Sequence, residues 1–274
     1  MHKLPLRSAA IGLTAIGLSM GAGHSVQAAF LPGVQNLNFV TYTGSAPKGY
    51  FTNVQPIGWV GGGGLIFVDA PGTADDGSYL SVYSPFPTHS PVGGNFVEAD
   101  GNPDFEGSFS QQLHGLTAGE TYTLSFYQAG GQQTTFANGL PTTEQWVVSL
   151  ANVGLSVGGS GPTDSVYGPT KTYTSADPNA SIVLSPIMTT PSGGVTPWQY
   201  VSVQLTAHSA DELLSFLAWG DKGSTINLPP IVFLSGVNSV NVVPEPASLS
   251  LMGVGLLGVG ALVLRRRAKR RDMV

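Results

Sequence analysis

The sequence predicts an all-β fold, an antiparallel β-sandwich or jelly roll, on three observations. Short segments of alternating apolar and polar residues recur along the chain between turn-forming stretches. Of its 274 residues 37 are Gly and 20 are Pro, a density that interrupts helices and punctuates short strands. Only 10% of residues are charged, while Thr, Ser, Val, Tyr and Phe are abundant, the composition of pleated, half-buried surfaces. The chain has no cysteine, so the fold must stand on packing, with metal ions as the only available staple.

The elements follow in order. Gly61 to Gly64 cannot be a regular strand interior and is expected as a flexible loop. In Gly107 to Leu113, Phe109, Gln111 and Leu113 share one face and Ser108, Ser110 and Gln112 the other. Residues 115–120 read as a turn. Tyr122, Leu124 and Phe126 then alternate against Thr121, Thr123 and Ser125, so the two segments are expected to form a hairpin with one buried face. Trp146, Val148 and Leu150 keep the same period. Asn152 to Pro169, rich in Gly, Ser and Pro, reads as a long excursion. Val201, Val203 and Leu205 alternate again. Leu213 to Trp219 is almost wholly apolar, as a central strand covered on both faces would be, although Ser209 to Phe216 also fits a capped helical turn. A closing strand pair is expected at Ile231–Leu234 and Val237–Val242.

The two ends differ from this middle. Residues 1–28 have the form of a secretory signal peptide: basic Lys3 and Arg7, an apolar run from Ala9 to Met20, and small residues at Val26-Gln27-Ala28, with cleavage expected after Ala28. At the other end Pro244-Glu245-Pro246 precedes an apolar stretch, 247–264. As a helix it would span about 27 Å, close to the thickness of a hydrocarbon core. Arg265, Arg266, Arg267, Lys269, Arg270 and Arg271 follow at once, a cluster that stays cytoplasmic and places the domain of residues 29–242 outside. Residues 243–271 thus resemble the PEP-CTERM sorting domain of Gram-negative bacteria. The resemblance implies an inner-membrane anchor, recognition and cutting near the motif by a membrane protease-transpeptidase, the exosortase, and a cell-surface or extracellular destination, usually in polysaccharide-producing species.

Between the ends only Lys48, Lys171 and Lys222 face fourteen Asp and Glu, a net charge of about −11. Such a surface excludes nucleic-acid binding, which draws on clustered Lys and Arg. Gly58-Trp59, the run from Asn95 to Gly101, the run from Gly107 to Phe126, Thr143-Glu144-Gln145-Trp146 and Leu214 to Trp219 resemble galactose-binding-like jelly-roll domains. That likeness implies a sandwich whose relatives bind sugars, adhere or serve structure, and which often hold one calcium ion.

For chemistry the residues offer little. There is no Gly-x-Ser-x-Gly elbow and no His-Glu-x-x-His pair, and His89, His114 and His208 read as loop or strand-end residues. Glu98 with Asp100, and Asp104 with Glu106, are pairs on one strand rather than across a cleft, so they read as a solvated acidic loop and not as glycosidase carboxylates. Asp75, Asp76, Asp100 and Asp104, in glycine-containing, oxygen-rich loops, are the candidate ligands for calcium. Tyr83, Tyr127 and Trp198 are the candidate rings for sugar stacking, whereas Trp59, Trp146 and Trp219 read as core. The expectation is a non-catalytic protein that binds or organises extracellular polysaccharide. A secreted carbohydrate-active hydrolase and a purely structural matrix protein are the alternatives.

Overall fold

A computed structural model describes residues 28–44, 48–50, 53–74, 80–86, 89–102, 105–134, 140–158, 172–220 and 230–238. The signal peptide before Ala28, Pro244-Glu245-Pro246, the span 247–264 and the basic cluster lie outside the described residues. The strands are β1 (Lys48–Tyr50), β2 (Val60–Gly63), β3 (Ile66–Asp69), β4 (Phe96–Asp100), β5 (Ser108–His114), β6 (Thr121–Gln132) and β7 (Thr142–Ala151). They continue with β8 (Leu155–Gly158), β9 (Thr172–Ser175), β10 (Ser181–Leu184), β11 (Met188–Thr190), β12 (Gln199–Thr206), β13 (Asp211–Gly220) and β14 (Pro230–Ser235). Sheet I runs β1-β3-β4-β14-β6-β12; sheet II runs β10-β7-β13-β5-β2, with β11 also on β7; β8 and β9 pair separately. Every strand pairing is antiparallel. The expected antiparallel sandwich is what the chain forms.

The two inner faces meet over one apolar core. Sheet II contributes Phe109, Leu113, Trp146, Val148, Leu150, Leu214, Phe216 and Ala218; sheet I contributes Val97, Ala99, Leu124, Phe126, Val201, Leu205, Val232 and Leu234. At its centre Phe109 and Phe216, register partners on β5 and β13, stack with ring centroids 5.0 Å apart. Trp59 and Phe39 pack against that pair from the loops before β2. Each such side chain taken out of water contributes roughly 1.5–3 kcal/mol. Gln111 shares this inner face because its amide is spent on the backbone: it accepts from Gln35 N at 2.7 Å and donates to Gly58 O at 3.0 Å. Gly58, at φ +88°, admits that amide; a Cβ there would lie 2.8 Å from Gln111 Nε2.

Four expectations need correction. The segments around 109–113 and 122–126 are not a hairpin: β5 lies in sheet II and β6 in sheet I, so residues 115–120 arch over the core. A second arch, 207–210, joins β12 to β13 beside it, and the two are laced by Leu116 N to Ala210 O, Gly119 N to Ala207 O and Ala207 N to Glu120 O. Alternation is the same in either arrangement, because both place apolar residues inward. Gly61 to Gly64 is not simply a loop: Val60–Gly63 pairs with β5 as the edge of sheet II, with a register shift between Gly61 and Gly63 that absorbs the irregularity. Ser209 to Phe216 is no helical turn, since Leu213 to Trp219 runs between β5 and β7. The closing pair is half present: β14 forms, but Val237 and Asn238 turn instead of continuing a strand, and 239–242 lie outside the described residues.

Both ends of the described domain lie beside β6. Phe30 bridges Thr123 in parallel, with Thr123 N donating to Ala29 O and Leu31 N to Thr123 O. Asn238 N donates to Ser125 O and its amide side chain to Leu31 O. Ala28 and Asn238 thus both lie beside the first half of β6, the half nearer the two arches.

Candidate functional site

The outer face of sheet I is covered over β3, β4, β14 and the second half of β6, while Ser202 and Gln204 on β12 stay exposed. Leu80, Val82, Phe86 and Ala74, with Val195 and Trp198, cover Phe67, Phe96, Ala129, Ile231 and Phe233 as a second apolar cluster. Phe86 and Phe233 approach with ring centroids 4.1 Å apart. This roof decides the fate of the expected stacking rings. Tyr127 is buried on the outer face of β6, edge-on to Tyr200 at 5.3 Å, and presents no open ring face. Its alternation with Phe126 was legible, but here alternation moves a side chain from one buried layer to another. Trp198 is half-buried, edge-on to Phe86 and Phe96, and Tyr83 is half-buried with its hydroxyl donating to Thr134 O at 3.4 Å. Glu98 and Asp100 do share a face of β4, but it is this roofed one; at 0% and 1% exposure they are buried strand residues and not a solvated loop.

The outer face of sheet II is different. Its described residues between the poles are Val60 on β2; Ser108, Ser110 and Gln112 on β5; Leu213, Ser215, Leu217 and Trp219 on β13; Thr143, Gln145, Val147, Ser149 and Ala151 on β7; Ile182 and Leu184 on β10; and Thr189 on β11. None is charged. At the arch pole this face ends in His114 and Asp211, whose Nδ1 and Oδ1 lie 2.9 Å apart and which are both strongly exposed. Val147, Leu217 and Trp219 form an apolar island in mid-face, covered by Leu155, Tyr173 and Ile182, with Tyr173 edge-on to Trp219 at 5.5 Å. Trp219 is therefore buried, as expected, but outside the inter-sheet core. The expected excursion after Ala151 is in part the β8–β9 hairpin that makes this cover. Its base is fastened by Asp177, whose carboxylate accepts from Asn152 N, Asn152 Nδ2 and Asn179 N at 2.8–3.0 Å. Those bonds, from the Asn152 and Asn179 backbone above all, hold the Asp177 carboxyl below its usual range despite the opposing pull of desolvation.

Two open clefts flank the island. One is lined by Gly62, Ser108, Ser110, Gly154, Leu155 and Ser215. The other, near the pole away from the arches, is lined by Thr143, Glu144, Gln145, Ile187, Trp219 and Gly220. Hydroxyls, an amide and an aromatic edge are groups suited to a neutral polyol, and Glu144 is the one acidic residue among the described linings. These residues went unselected in the sequence because single Ser, Thr and Gln residues on alternating strands carry no motif; only strand register assembles them.

Among the described residues no three His, Asp or Glu side chains converge as a metal site. Asp100 Oδ1 accepts from Asn102 N at 2.8 Å in a local turn, and Asp75, Asp76 and Asp104 lie outside the described residues. Glu106 is the perturbed acid of the region: burial pushes its carboxyl up to about 7, against a smaller opposing pull from its own backbone N–H. A carboxyl raised on folding stays protonated in the native state while the unfolded chain ionises, so stability falls as pH rises from about 4.5 to about 7. Glu106→Gln is expected to remove that decline and to raise stability at pH 8 by on the order of 1 kcal/mol, since the group is only half-buried and solvent screens it. Thermal melts of both proteins at pH 4.5, 6 and 8 check this; parallel curves would contradict it.

Comparison with known proteins gives one sequence match and several distant structural ones. Residues 242–267 match the PEP-CTERM protein-sorting motif model. No curated protein matches the chain. The structure resembles the CBM22-2 xylan-binding domain from Paenibacillus barcinonensis Xyn10C at 10% identity and TM-score 0.35, covering 69% of this chain and 95% of that one. It also resembles TmCBM61, solved with β-1,4-galactotriose, at 13% identity and TM-score 0.31, covering 74% and 94%. The K2 cleaved adhesin domain of Lys-gingipain matches at 10% identity and TM-score 0.34, covering 73% and 93%. At such identities and scores these likenesses assign no ligand to this chain. The tail identifies the class of protein: behind an antiparallel β-sandwich, residues 242–267 are a PEP-CTERM sorting motif, the mark of a chain exported through the membrane with a C-terminal anchor.

Proposed function

We propose that this protein is exported in a Gram-negative cell, held in the inner membrane by residues 247–264, processed by an exosortase at Pro244-Glu245-Pro246, and released to the surface or matrix. There its sandwich binds or organises extracellular polysaccharide without catalysing a reaction. The observation that carries the ligand class is the outer face of sheet II: uncharged between its poles, lined by hydroxyl and amide side chains, and cleft on both sides of an aromatic island. Pyranose rings offer apolar faces and hydroxyl edges, and that face offers partners for both. The strongly acidic middle of the chain keeps the domain soluble and repels nucleic acid and other polyanions.

Intact-mass analysis of the secreted and membrane fractions of producing cells tests the processing half of the reading. The expected mature species begins near Ala29 and ends between Val243 and Pro246. A species that retains Arg265 to Val274 in both fractions would make the tail a permanent anchor and end the sorting reading.

A further inference from the structure

One of the two clefts supports an inference that rests on the polysaccharide reading and sharpens it. Strand register puts Ser110, Ser215 and Ser149 in a single row across β5, β13 and β7. Ser215 and Ser149 are 4% and 0% exposed, and neither hydroxyl has a hydrogen-bond partner among the described residues. Ser108, Ser110 and Ser215 line the open cleft, between Gly62 on one rim and Gly154 with Leu155 on the other. The Gly62 rim depends on a missing side chain, and at Gly154 a side chain would come into contact with Ser215. A Cβ at Gly62 would lie 2.5 Å from Ser108 Oγ, and one at Gly154 would reach contact distance, 3.5 Å, from Ser215 Oγ.

A buried hydroxyl without a partner is costly, and native folds hold few of them, so Ser215 on the cleft floor calls for a partner from outside the chain, while Ser149 is buried beside it outside the cleft. Each serine both donates and accepts, as each sugar hydroxyl does. Among the described residues no cation lines the cleft, so a carboxylate or sulfate entering it would be desolvated without compensation from them. We propose that Ser108, Ser110 and Ser215 form a binding subsite for the hydroxyl-bearing edge of an uncharged glycan, admitted between Gly62 and Gly154. Uronate and sulfated chains would meet no compensating charge from these residues.

The test uses the full chain in mild detergent, run in native gels that contain hydroxyethyl cellulose, galactomannan or alginate. The wild type should be retarded by a neutral polymer and not by alginate. Two variants should weaken that retardation about tenfold or more: Ser110→Ala with Ser215→Ala, which removes hydroxyls, and Gly154→Ala, which places a methyl against Ser215. The serine variant should melt no lower than wild type, since it deletes an unsatisfied buried group; a purely structural role would lower its melting temperature instead. Full retardation of both variants would overturn the subsite while leaving the polysaccharide reading intact. Retardation by alginate alone would overturn the uncharged class. No retardation in any gel would bring down the polysaccharide reading itself.

Discussion

Replacing Trp146 by alanine is expected to cost about 3–5 kcal/mol, much of the roughly 5–15 kcal/mol that holds a domain together. The indole is fully buried at the centre of sheet II, edge-on to Phe109 and Phe216. Its Nε1 donates across the sandwich to Phe233 O of β14 at 3.1 Å, so one side chain fills the core and ties sheet II to sheet I. The alanine leaves a cavity that rigid β7 and β13 cannot close by sliding, because both are paired on each side. Trp146→Phe keeps most of the volume and loses the hydrogen bond, with an expected cost of about 1–2 kcal/mol. Trp219→Ala serves as the comparison: Trp219 is nearly as buried, but under a two-stranded hairpin, which can settle onto the gap. The order expected in thermal melts is Trp146→Ala lowest, then Trp219→Ala, then Trp146→Phe. A Trp146→Ala protein melting within a few degrees of wild type would mean that the sheets are not joined through this residue.

That contrast between two tryptophans also shows where sequence reading stops. Both lie on strands whose faces are legible. On β13, Leu214, Phe216 and Ala218 alternate with Leu213, Ser215, Leu217 and Trp219, but a central strand is apolar on both faces, and period alone does not say which face meets the other sheet. The six-residue connection after His114 was legible as a turn, whereas its crossing from sheet II to sheet I was not, because inward residues alternate identically in a hairpin and in an arch. Polar residues posed the same difficulty in reverse. Gln111 reads as misplaced on an apolar face until Gln35 and Gly58 arrive beside it, from 76 and 53 residues away. Ser110, Ser149 and Ser215 become neighbours only through two strand pairings. The sorting motif at 242–267 was legible because its information is linear: a short motif, an apolar length and a charge cluster in order.

The second large effect concerns that tail. A chain ending after Val243 is expected to leave the membrane fraction entirely and to fold as wild type. The last contacts at this end among the described residues are the backbone and side-chain bonds of Asn238 to Ser125 and Leu31, and both remain. A chain with Pro244-Glu245-Pro246 changed to Ala-Ala-Ala keeps 247–264 and the basic cluster, so it should stay in the membrane at unprocessed mass. The two variants separate anchoring from recognition, which a single deletion confounds. The geometry adds a constraint on the protease. From Asn238 to Pro244 the chain spans at most about 20 Å even when fully extended. A cut at Pro244-Glu245-Pro246 would therefore fall within that reach of Asn238, which is bonded to β6 and to Leu31. Lengthening the segment after Asn238 with Gly and Ser should thus preserve or speed processing, while shortening it should slow processing without altering the melting temperature. Mass spectra of membrane fractions over time measure both. Equal processing of the alanine variant and wild type would show that Pro244-Glu245-Pro246 is not what the protease reads.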